Sequence, residues 1–318
     1  MVLLNMGGPA SLDEIPAYLR RIFMDPLLIR LPLGGFYRPL LAGFVASRRG
    51  AKVRHRYALI GGKSPLLEET RKLAALLSRR VDVPIEIAMR YSSPSAAEAV
   101  AALEHAGVSK VVAVPLYPQY SSSTTASSVA DLEAAVGDRM ELIAVQYHYH
   151  HPGVADAMAQ QLNAALEKQA WRSNAHVLFT AHSIPESYTR TGDPYVEHVR
   201  ETVEAVAQAA GLSLPYSLAF QSATRFGSWH GPSVFDAVEE LAEGGVRHLV
   251  VAPVSFVSEN LETLFDLDIQ LAAYCQDMGL QSMLRVPTLS ESNSYADALA
   301  DLIRCSAADV WGAQCTIP

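Results

Sequence analysis

The sequence of 318 residues has few cysteines, few charges and no long uninterrupted apolar run. Its three cysteines, Cys275, Cys305 and Cys315, show no CxxC spacing and form an odd number, which argues against a disulfide framework and a thiolate-only metal site. The longest clean apolar stretch, residues 249–257, is too short for the roughly 20 residues of a membrane-spanning helix. No signal-peptide pattern precedes the strand predicted at residues 2–6, so we expect a cytoplasmic protein.

The chain also lacks a basic excess and a phosphate-binding glycine motif. Lysine and arginine number 25 against 33 acids, which gives a net charge of −8 and no general surface for nucleic-acid phosphates. No GxGxxG is present, and residues 61–64 lack the earlier glycine of a P-loop. Half of the residues are hydrophobic, which excludes a disordered or fibrous chain. We therefore expect a globular protein without nucleic-acid partners.

One pattern occurs twice along the chain. Residues 107–115 and 245–253 both begin with Gly-Val, continue as a β-branched run and end in Ala/Val-Pro, and each follows a helical stretch. A strand with little polar alternation is typical of a parallel sheet covered on both faces. The sequence therefore predicts an α/β fold of two similar Rossmann-like lobes, each a parallel sheet flanked by helices.

The predicted domains are an N-terminal lobe (1–147), a C-terminal lobe (148–290) and a last helix (291–318) that packs back on the N-terminal lobe. Further predicted strands are 85–90, 142–146, 177–181 and 216–221, and the predicted helices lie near 66–80, 154–169 and 195–210. Ligands of such folds bind beyond the carboxyl ends of the strands, so the residues after each strand are the candidates for function.

His182 directly follows the predicted strand 177–181. A neutral imidazole at this place can ligate a metal or accept a proton. The alternative is a histidine that is only hydrogen-bonded at a strand end.

Glu262 and Asp266 follow the second copy of the repeat. On a helix they share a face, and their repulsion should raise the pKa of one carboxyl, which gives either a proton acceptor near neutrality or a site for a hard cation. The alternative is an acidic helix start that the helix dipole favours.

Residues 27–45 carry large apolar side chains interrupted by Pro and Gly, and Arg48 and Arg49 end the segment 27–49. We predict a poor core helix and an exposed apolar lip that suits an apolar anionic ligand or a membrane surface. Packing against the neighbouring domain is the alternative.

Taken together, these segments resemble the ferrochelatases, which insert ferrous iron into a porphyrin at the end of haem synthesis. The resemblance runs over nearly the whole chain. It rests on the following segments, in this order: 4–9 (LNMGGP), 61–65 (GGKSP), 90–91 (RY), 116–121 (LYPQYS), 181–185 (AHSIP), 192–195 (GDPY), 220–222 (FQS) and 261–264 (LETL).

The resemblance implies that a porphyrin binds in a cleft between the lobes, with His182 and Glu262 as the catalytic pair. It also implies that His182, Glu262 and Asp266 meet the iron. The remaining matched positions are implied to bind the porphyrin: Met6, Tyr57, Arg90, Tyr91 and Trp229 in the cleft, and Arg48, Arg49 and Ser64 near the propionates. The apolar lip resembles the segment by which some family members rest on a membrane, which implies peripheral contact with its inner face.

The chain departs from the family pattern at several positions. Ser122 occupies the place of a cysteine that ligates an iron–sulfur cluster in some relatives, and three cysteines cannot supply four thiolates. We therefore expect no cofactor, with iron only as substrate. Asn260 replaces a common histidine, Gln270 replaces a third acid of the row, and residues 223–228 differ before the tryptophan.

The expected reaction removes two pyrrole protons while ferrous iron enters a ring held bent. His182 must be neutral either to accept a proton or to ligate iron, so acidification should abolish activity. Glu262 passes protons on through Asp266. We expect protoporphyrin IX as the substrate. The alternatives are coproporphyrin or another tetrapyrrole on the same scaffold, and a non-catalytic two-lobed protein that captures haem or a metal.

Overall fold

The computed structural model describes residues 1–30, 36–223 and 227–311. The chain forms two compact units, Met1–His148 with the described part of Leu299–Pro318, and Tyr149–Ala298.

The first unit contains a four-stranded parallel sheet. Its strands are β1 (Val2–Asn5), β2 (Glu86–Met89), β3 (Lys110–Pro115) and β4 (Glu141–Ala144), in the spatial order β2-β1-β3-β4. Its helices are α1 (Ile15–Met24), α2 (Arg38–Leu59), α3 (Leu66–Leu77), α4 (Ala96–His105) and α5 (Ser127–Val136), with a short π-helix at Ser122–Ala126.

The second unit contains a sheet of the same size. Its strands are β5 (Ala175–His182), β6 (Tyr216–Gln221), β7 (His248–Pro253) and β8 (Ser282–Arg285), in the order β6-β5-β7-β8 and again all parallel. Its helices are α6 (Pro152–Glu167), α7 (Glu186–Arg190), α8 (Tyr195–Ala209), α9 (Val234–Glu243) and α10 (Ala272–Asp277). The last helix, α11 (Asn293–Trp311), begins in this unit and continues into the other. We call the segment Glu262–Leu271, which is a π-helix, the acidic π-helix.

The two sheets have one topology. In each unit the first strand lies between the second and the third, and the fourth strand lies outside the third. The two copies of the repeat are β3 and β7, and each is followed by a π-helix and then by an α-helix. The predicted pair of Rossmann-like lobes with parallel sheets is therefore confirmed.

Burial explains why these strands form as central elements. All four residues of β1 are buried, and β3 and β7 are buried from their second residue onward. Such continuously apolar strands require helices on both faces. In the second unit, Leu178 of β5 packs in one apolar cluster with Leu267 and Leu271 of the acidic π-helix. This packing places the acidic π-helix against one face of the sheet.

The structure differs from the prediction for the lip. Residues 38–49, for which we expected a poor core helix, form the first half of the 22-residue helix α2. Pro39 lies in the first turn, where its missing N–H does no harm, and a helix can begin there. The lip residues 31–35 lie outside the described residues. None of the described helices is long and apolar enough to cross a membrane.

Candidate active site

His182 is the last residue of β5 and lies at the carboxyl edge of the second sheet. Its backbone N–H donates to Ser255 Oγ at 3.1 Å, and its ring Nδ1 lies 2.6 Å from the carbonyl oxygen of Ser183. Because a carbonyl oxygen only accepts, Nδ1 must carry the hydrogen. This bond selects the tautomer in which Nε2 has the lone pair, the state that a proton acceptor or a metal ligand requires.

The segment 192–195 explains how His182 is supported. Tyr195 is buried, and its hydroxyl contacts Ser255 and the backbone of His182. Burial raises the pKa of Tyr195 above its usual value, so the hydroxyl stays protonated. Asp193 Oδ1 accepts the Tyr195 N–H at 3.1 Å. The motif therefore fixes the backbone at the end of β5.

Glu262 and Asp266 lie on the acidic π-helix, which follows β7, the strand next to β5. The helix on which they were predicted to share a face is a π-helix, whose backbone bonds run i→i+5. The wider helix still buries a row at a spacing of four: Thr263, Leu267 and Leu271. The adjacent row at the same spacing therefore brings Glu262 and Asp266, both half-buried, to one side of the helix.

The end of β6 connects the sheet edge to this carboxylate row. Gln221 is the register partner of His182, so the two side chains lie on the same face of the sheet. That face also carries Leu178, which packs against the acidic π-helix. The next residue, Ser222, donates from its hydroxyl to Asp266 Oδ2 at 2.9 Å. His182 and Asp266 thus belong to one connected cluster.

Ser222 holds an unusual backbone conformation. Its φ is +65°, and no other non-glycine residue in the described part of the chain has a positive φ. A side chain in this left-handed region is disfavoured by about 1–2 kcal/mol. Gln221 is 2% exposed, and neither polar atom of its carboxamide has a hydrogen-bond partner. Strain and an unsatisfied buried amide beside His182 are typical of a functional site.

Asp25 organises the predicted porphyrin residues of the first unit. It is 3% exposed, and its Oδ2 accepts from the Tyr91 hydroxyl at 2.7 Å, from the Ser127 hydroxyl and from Arg90 at 2.9 Å. Burial alone would raise its pKa, but hydrogen bonds from Ser127, Tyr91 and the Leu27 N–H, together with Arg90, hold the pKa below its ordinary value.

Tyr91 is buried in this structure, and its contact with the porphyrin stays a prediction. Tyr91 is 2% exposed and its hydroxyl is bound to Asp25, so it presents no surface to a ligand in this structure. Arg90 also pairs with Asp131 at 3.2 Å and donates to Ser127 at 2.8 Å. Both residues hold α5 and the base of the lip in place. Tyr57, 3% exposed, is likewise buried and not open to a ligand in this structure.

The loop after β1 carries the half-buried Met6 and brings Gly8 next to Ser64. A Cβ on Gly8 would lie 2.4 Å from the Ser64 side chain, and a Cβ on Gly7, whose φ is +78°, would lie 2.3 Å from Ser92 Oγ. Only glycine permits these approaches. Gly8 therefore lets the loop that carries Met6 approach Ser64 closely.

The other predicted porphyrin residues lie on α2 and near β6. Arg48 and Arg49 are exposed, and they stack over Phe44 and Phe23 with 5.2 and 5.9 Å between guanidinium carbon and ring centre. Trp229 is half-buried and forms an isolated antiparallel bridge with Pro185. Residues 224–226, where the family pattern is broken, lie outside the described residues.

The sequence reasoning missed an ionic cluster around Arg285, at the end of β8. Arg285 binds both oxygens of Asp268, at 2.6 and 2.8 Å, and Glu259 at 3.0 Å. Burial opposes its charge, but the hydrogen bonds and charges of these two acids raise its pKa. No strand was predicted over residues 282–285, so the sequence offered no strand end from which Arg285 could be selected.

Comparisons with known proteins decide the family. The family model for ferrochelatase matches residues 1–307. The ferrochelatase of Aquifex aeolicus (strain VF5) is 36% identical over 310 residues, which cover 96% of this chain and 98% of the relative. That of Geotalea uraniireducens (strain Rf4) is 37% identical over 308 residues, covering 95% and 96%.

The chain belongs to the ferrochelatase family. Iron insertion into a porphyrin for haem synthesis is the function of this family, and the protein is accordingly an enzyme that inserts metal into porphyrin. The expected porphyrin and iron substrates are those of a ferrochelatase. The alternative of a non-catalytic binding protein is therefore dropped.

Solved structures support the fold alone. SirB from Bacillus subtilis with Fe³⁺ is similar with a TM-score of 0.54 at 15% identity, over 77% of this chain and 92% of that chain. A second SirB structure, in complex with cobalt, has a TM-score of 0.50 at 13% identity. At this sequence identity the similarity supports the architecture of the chain and assigns no residue roles.

The assignment of the ferrochelatase residues to roles rests on the geometry given above. Within the described ranges, no three His, Cys, Asp or Glu side chains form a group that could hold a metal ion. The roles of His182, Glu262 and Asp266 toward iron therefore stay predictions.

Cys275 is a buried free thiol, whereas Cys305 is disulfide-bonded. The odd number of cysteines had argued against a disulfide framework, so this bond was not expected.

Proposed function

We propose that the enzyme inserts ferrous iron into protoporphyrin IX, with His182 and Glu262 as the catalytic residues. The observation that carries this proposal is the bond from His182 Nδ1 to the Ser183 carbonyl, which leaves Nε2 as the base. In the reaction, two pyrrole N–H bonds break, four iron–nitrogen bonds form, and two protons leave. Nε2 supplies the lone pair needed at the ring, as proton acceptor or as iron ligand.

Glu262 and Asp266 carry protons away from the ring, and Ser222 keeps Asp266 oriented through its hydroxyl. Asp266 follows Glu262 four residues along the same side of the acidic π-helix. A proton on Glu262 is then passed to Asp266 in a single transfer, directly or through one water.

Substitution of each residue tests the mechanism under anaerobic conditions, with ferrous iron and the absorbance change of the porphyrin as the measurement. Glu262→Gln keeps the shape and removes the proton site, so turnover should fall about 10²-fold. His182→Ala should abolish insertion and leave porphyrin binding, measured by fluorescence quenching, within a few-fold. A His182→Ala enzyme that still inserts iron refutes the assignment.

The choice of protoporphyrin IX over coproporphyrin rests on the apolar character of the lip. Phe36, Leu40 and Phe44, spaced by four residues, are 82%, 80% and 57% exposed. A ring with fewer carboxylates suits such a surface better than a more charged one. Side-by-side kcat/KM values for the two porphyrins test the choice, and a preference for coproporphyrin contradicts it.

The same exposed side chains support peripheral contact with the cytoplasmic face of a membrane. Each would gain roughly 1.5–3 kcal/mol on full burial in an apolar phase. Helix α2 contains no acidic residue although the whole chain is acidic, and its basic residues are Arg38, Arg48, Arg49, Lys52, Arg54 and Arg56. A basic helix with apolar side chains at one end suits a surface of anionic lipid.

Vesicle flotation tests this contact. The wild type should float with vesicles that contain phosphatidylserine and less with phosphatidylcholine alone, and Phe36→Ser with Leu40→Ser should remove the binding. Exposed Tyr216→Ser is the matched control, because Tyr216 is also an exposed aromatic residue but lies on β6. Equal flotation of all variants contradicts the proposal.

We further propose that the enzyme works without an iron–sulfur cluster. The sequence holds three cysteines, and two of them are a buried thiol and a disulfide partner. Stoichiometric acid-labile sulfide in the purified protein would contradict this.

A further inference from the structure

The acidic π-helix is tied to the rest of its unit at two places. These places are Glu259, three residues before Glu262, and Asp268, two residues after Asp266. They therefore lie on either side of the carboxylate row, Glu262 and Asp266. A single side chain, Arg285, reaches both. Its side chain is 12% exposed; the pair with Glu259, which is 19% exposed, is largely removed from water, whereas Asp268 is 35% exposed.

The bonds are strong ones by geometry. Arg285 Nε and one terminal nitrogen bind the two oxygens of Asp268 as a fork, and the other terminal nitrogen binds Glu259 Oε1. Glu259 in turn accepts from the Thr263 hydroxyl at 2.6 Å and from the Thr288 hydroxyl at 3.1 Å. Bidentate charged hydrogen bonds of this kind fix orientation as well as distance.

A π-helix needs such support, because i→i+5 bonding is rare and occurs mostly as single-turn insertions in α-helices. Here it extends over ten residues. If the segment relaxed to an α-helix, each residue would turn relative to its neighbours, and the carboxylates of Glu262 and Asp266 would change direction together. Fixed points on both sides of the row oppose that change.

We infer that Arg285 is a positioning residue for iron insertion, which sets the direction of the Glu262 and Asp266 carboxylates by clamping Glu259 and Asp268. The inference rests on the proposed function of that carboxylate row. Arg285 itself touches no reacting atom. A lysine preserves the charge but cannot bind three oxygens in a rigid plane, so Arg285→Lys separates geometry from charge.

The experiment compares Arg285→Lys and Asp268→Asn with the wild type in anaerobic insertion of ferrous iron into protoporphyrin IX. We expect kcat to fall about tenfold or more, with KM for the porphyrin within about twofold, since a small misplacement of a reacting group lowers turnover rather than binding. The double variant should lose no more than the worse single one, because both remove the same clamp. Amide hydrogen exchange over 262–271 should become faster.

Arg190→Lys is the matched control, because Arg190 pairs with Glu186 in an exposed i,i+4 ion pair of the same unit. Its kcat should equal that of the wild type. Folded Arg285→Lys and Asp268→Asn enzymes with kcat within twofold of the wild type overturn the inference. So does a fall in kcat that is matched by an equal fall in the folded fraction.

Glu262→Gln, measured in the same series, keeps the two proposals apart. If Glu262→Gln turns over normally, the proposed function of the row fails, whatever the Arg285 variants do. If Glu262→Gln is inactive and Arg285→Lys turns over normally, only the positioning role fails.

Discussion

The buried charge of Asp25 gives a prediction that tests the first unit. Asp25→Asn keeps the side-chain shape but removes the charge that faces Arg90 and the acceptor oxygen shared by the Tyr91 and Ser127 hydroxyls. Breaking one partner of a buried pair destabilises by about 3–5 kcal/mol. For a unit of this size, each kcal/mol lowers Tm by about 2–4 °C, so we expect a loss of about 6–20 °C.

Thermal unfolding by circular dichroism measures the loss, with Asp13→Asn as the control. Asp13 pairs with Arg54 at 3.0 Å, a distance similar to that between Asp25 and Arg90, but its side chain is 89% exposed. Exposed pairs contribute about 0–1 kcal/mol, so the control should lose at most a few degrees. If the two variants unfold at the same temperature, burial does not set the strength of the Asp25 pair.

The same pair predicts how stability depends on pH. The pKa of Asp25 is lower in the folded protein than the roughly 3.9 of an unfolded chain. Its contribution is therefore fully present above about pH 4 and is lost as pH falls through the folded-state pKa. The difference in Tm between the wild type and Asp25→Asn should shrink on acidification. A constant difference down to low pH would refute the reasoning.

Two further predictions concern the backbone. Gly8→Ala places a Cβ 2.4 Å from Ser64 and should destabilise the protein by about 1–3 kcal/mol. Gly50→Ala, on helix α2, places a Cβ that meets nothing within 4 Å, so it should stabilise the protein by about 0.5–1 kcal/mol. Urea unfolding measures both changes. Ser222→Gly keeps the left-handed backbone and should be more stable than Ser222→Ala by about 1 kcal/mol, and equal stabilities would show that the positive φ carries no strain.

The fold was predictable because its signals are local and repeated. A strand that is buried on both faces has no polar alternation, and the two copies of the repeat, now β3 and β7, show this directly. Their similarity implied two lobes of one topology. The strand and helix ends shifted by a few residues, since the last turn of a helix depends on caps and neighbours that the sequence pattern does not show.

The candidate site was predictable only in part. His182 could be found because it follows a strand, and the row of Glu262 and Asp266 could be found from its spacing. The burial of Tyr91 could not, because it depends on Asp25, 66 residues away along the chain. The clamp by Arg285 joins residues 17 and 26 positions apart in the same way. Such contacts exist only once the chain has folded.

The type of helix that carries the acids was also beyond the sequence. An α-helix and a π-helix both accept a row at a spacing of four over a few turns, and Thr263, Leu267 and Leu271 fit either. Arg285 contacts this segment from β8, and no periodicity of the segment encodes such a contact.

The two π-helices occupy the same place in their units but carry different side chains. Each follows the third strand of its sheet, at the carboxyl edge where ligands of such folds bind. In the first unit this helix, Ser122–Ala126, has only small and hydroxyl side chains, none of which is an acid or base that titrates near neutral pH. In the second unit the same place holds Glu262 and Asp266. The architecture is thus shared, whereas His182 and the acidic row, to which we assign the acid–base chemistry, both lie in the second unit.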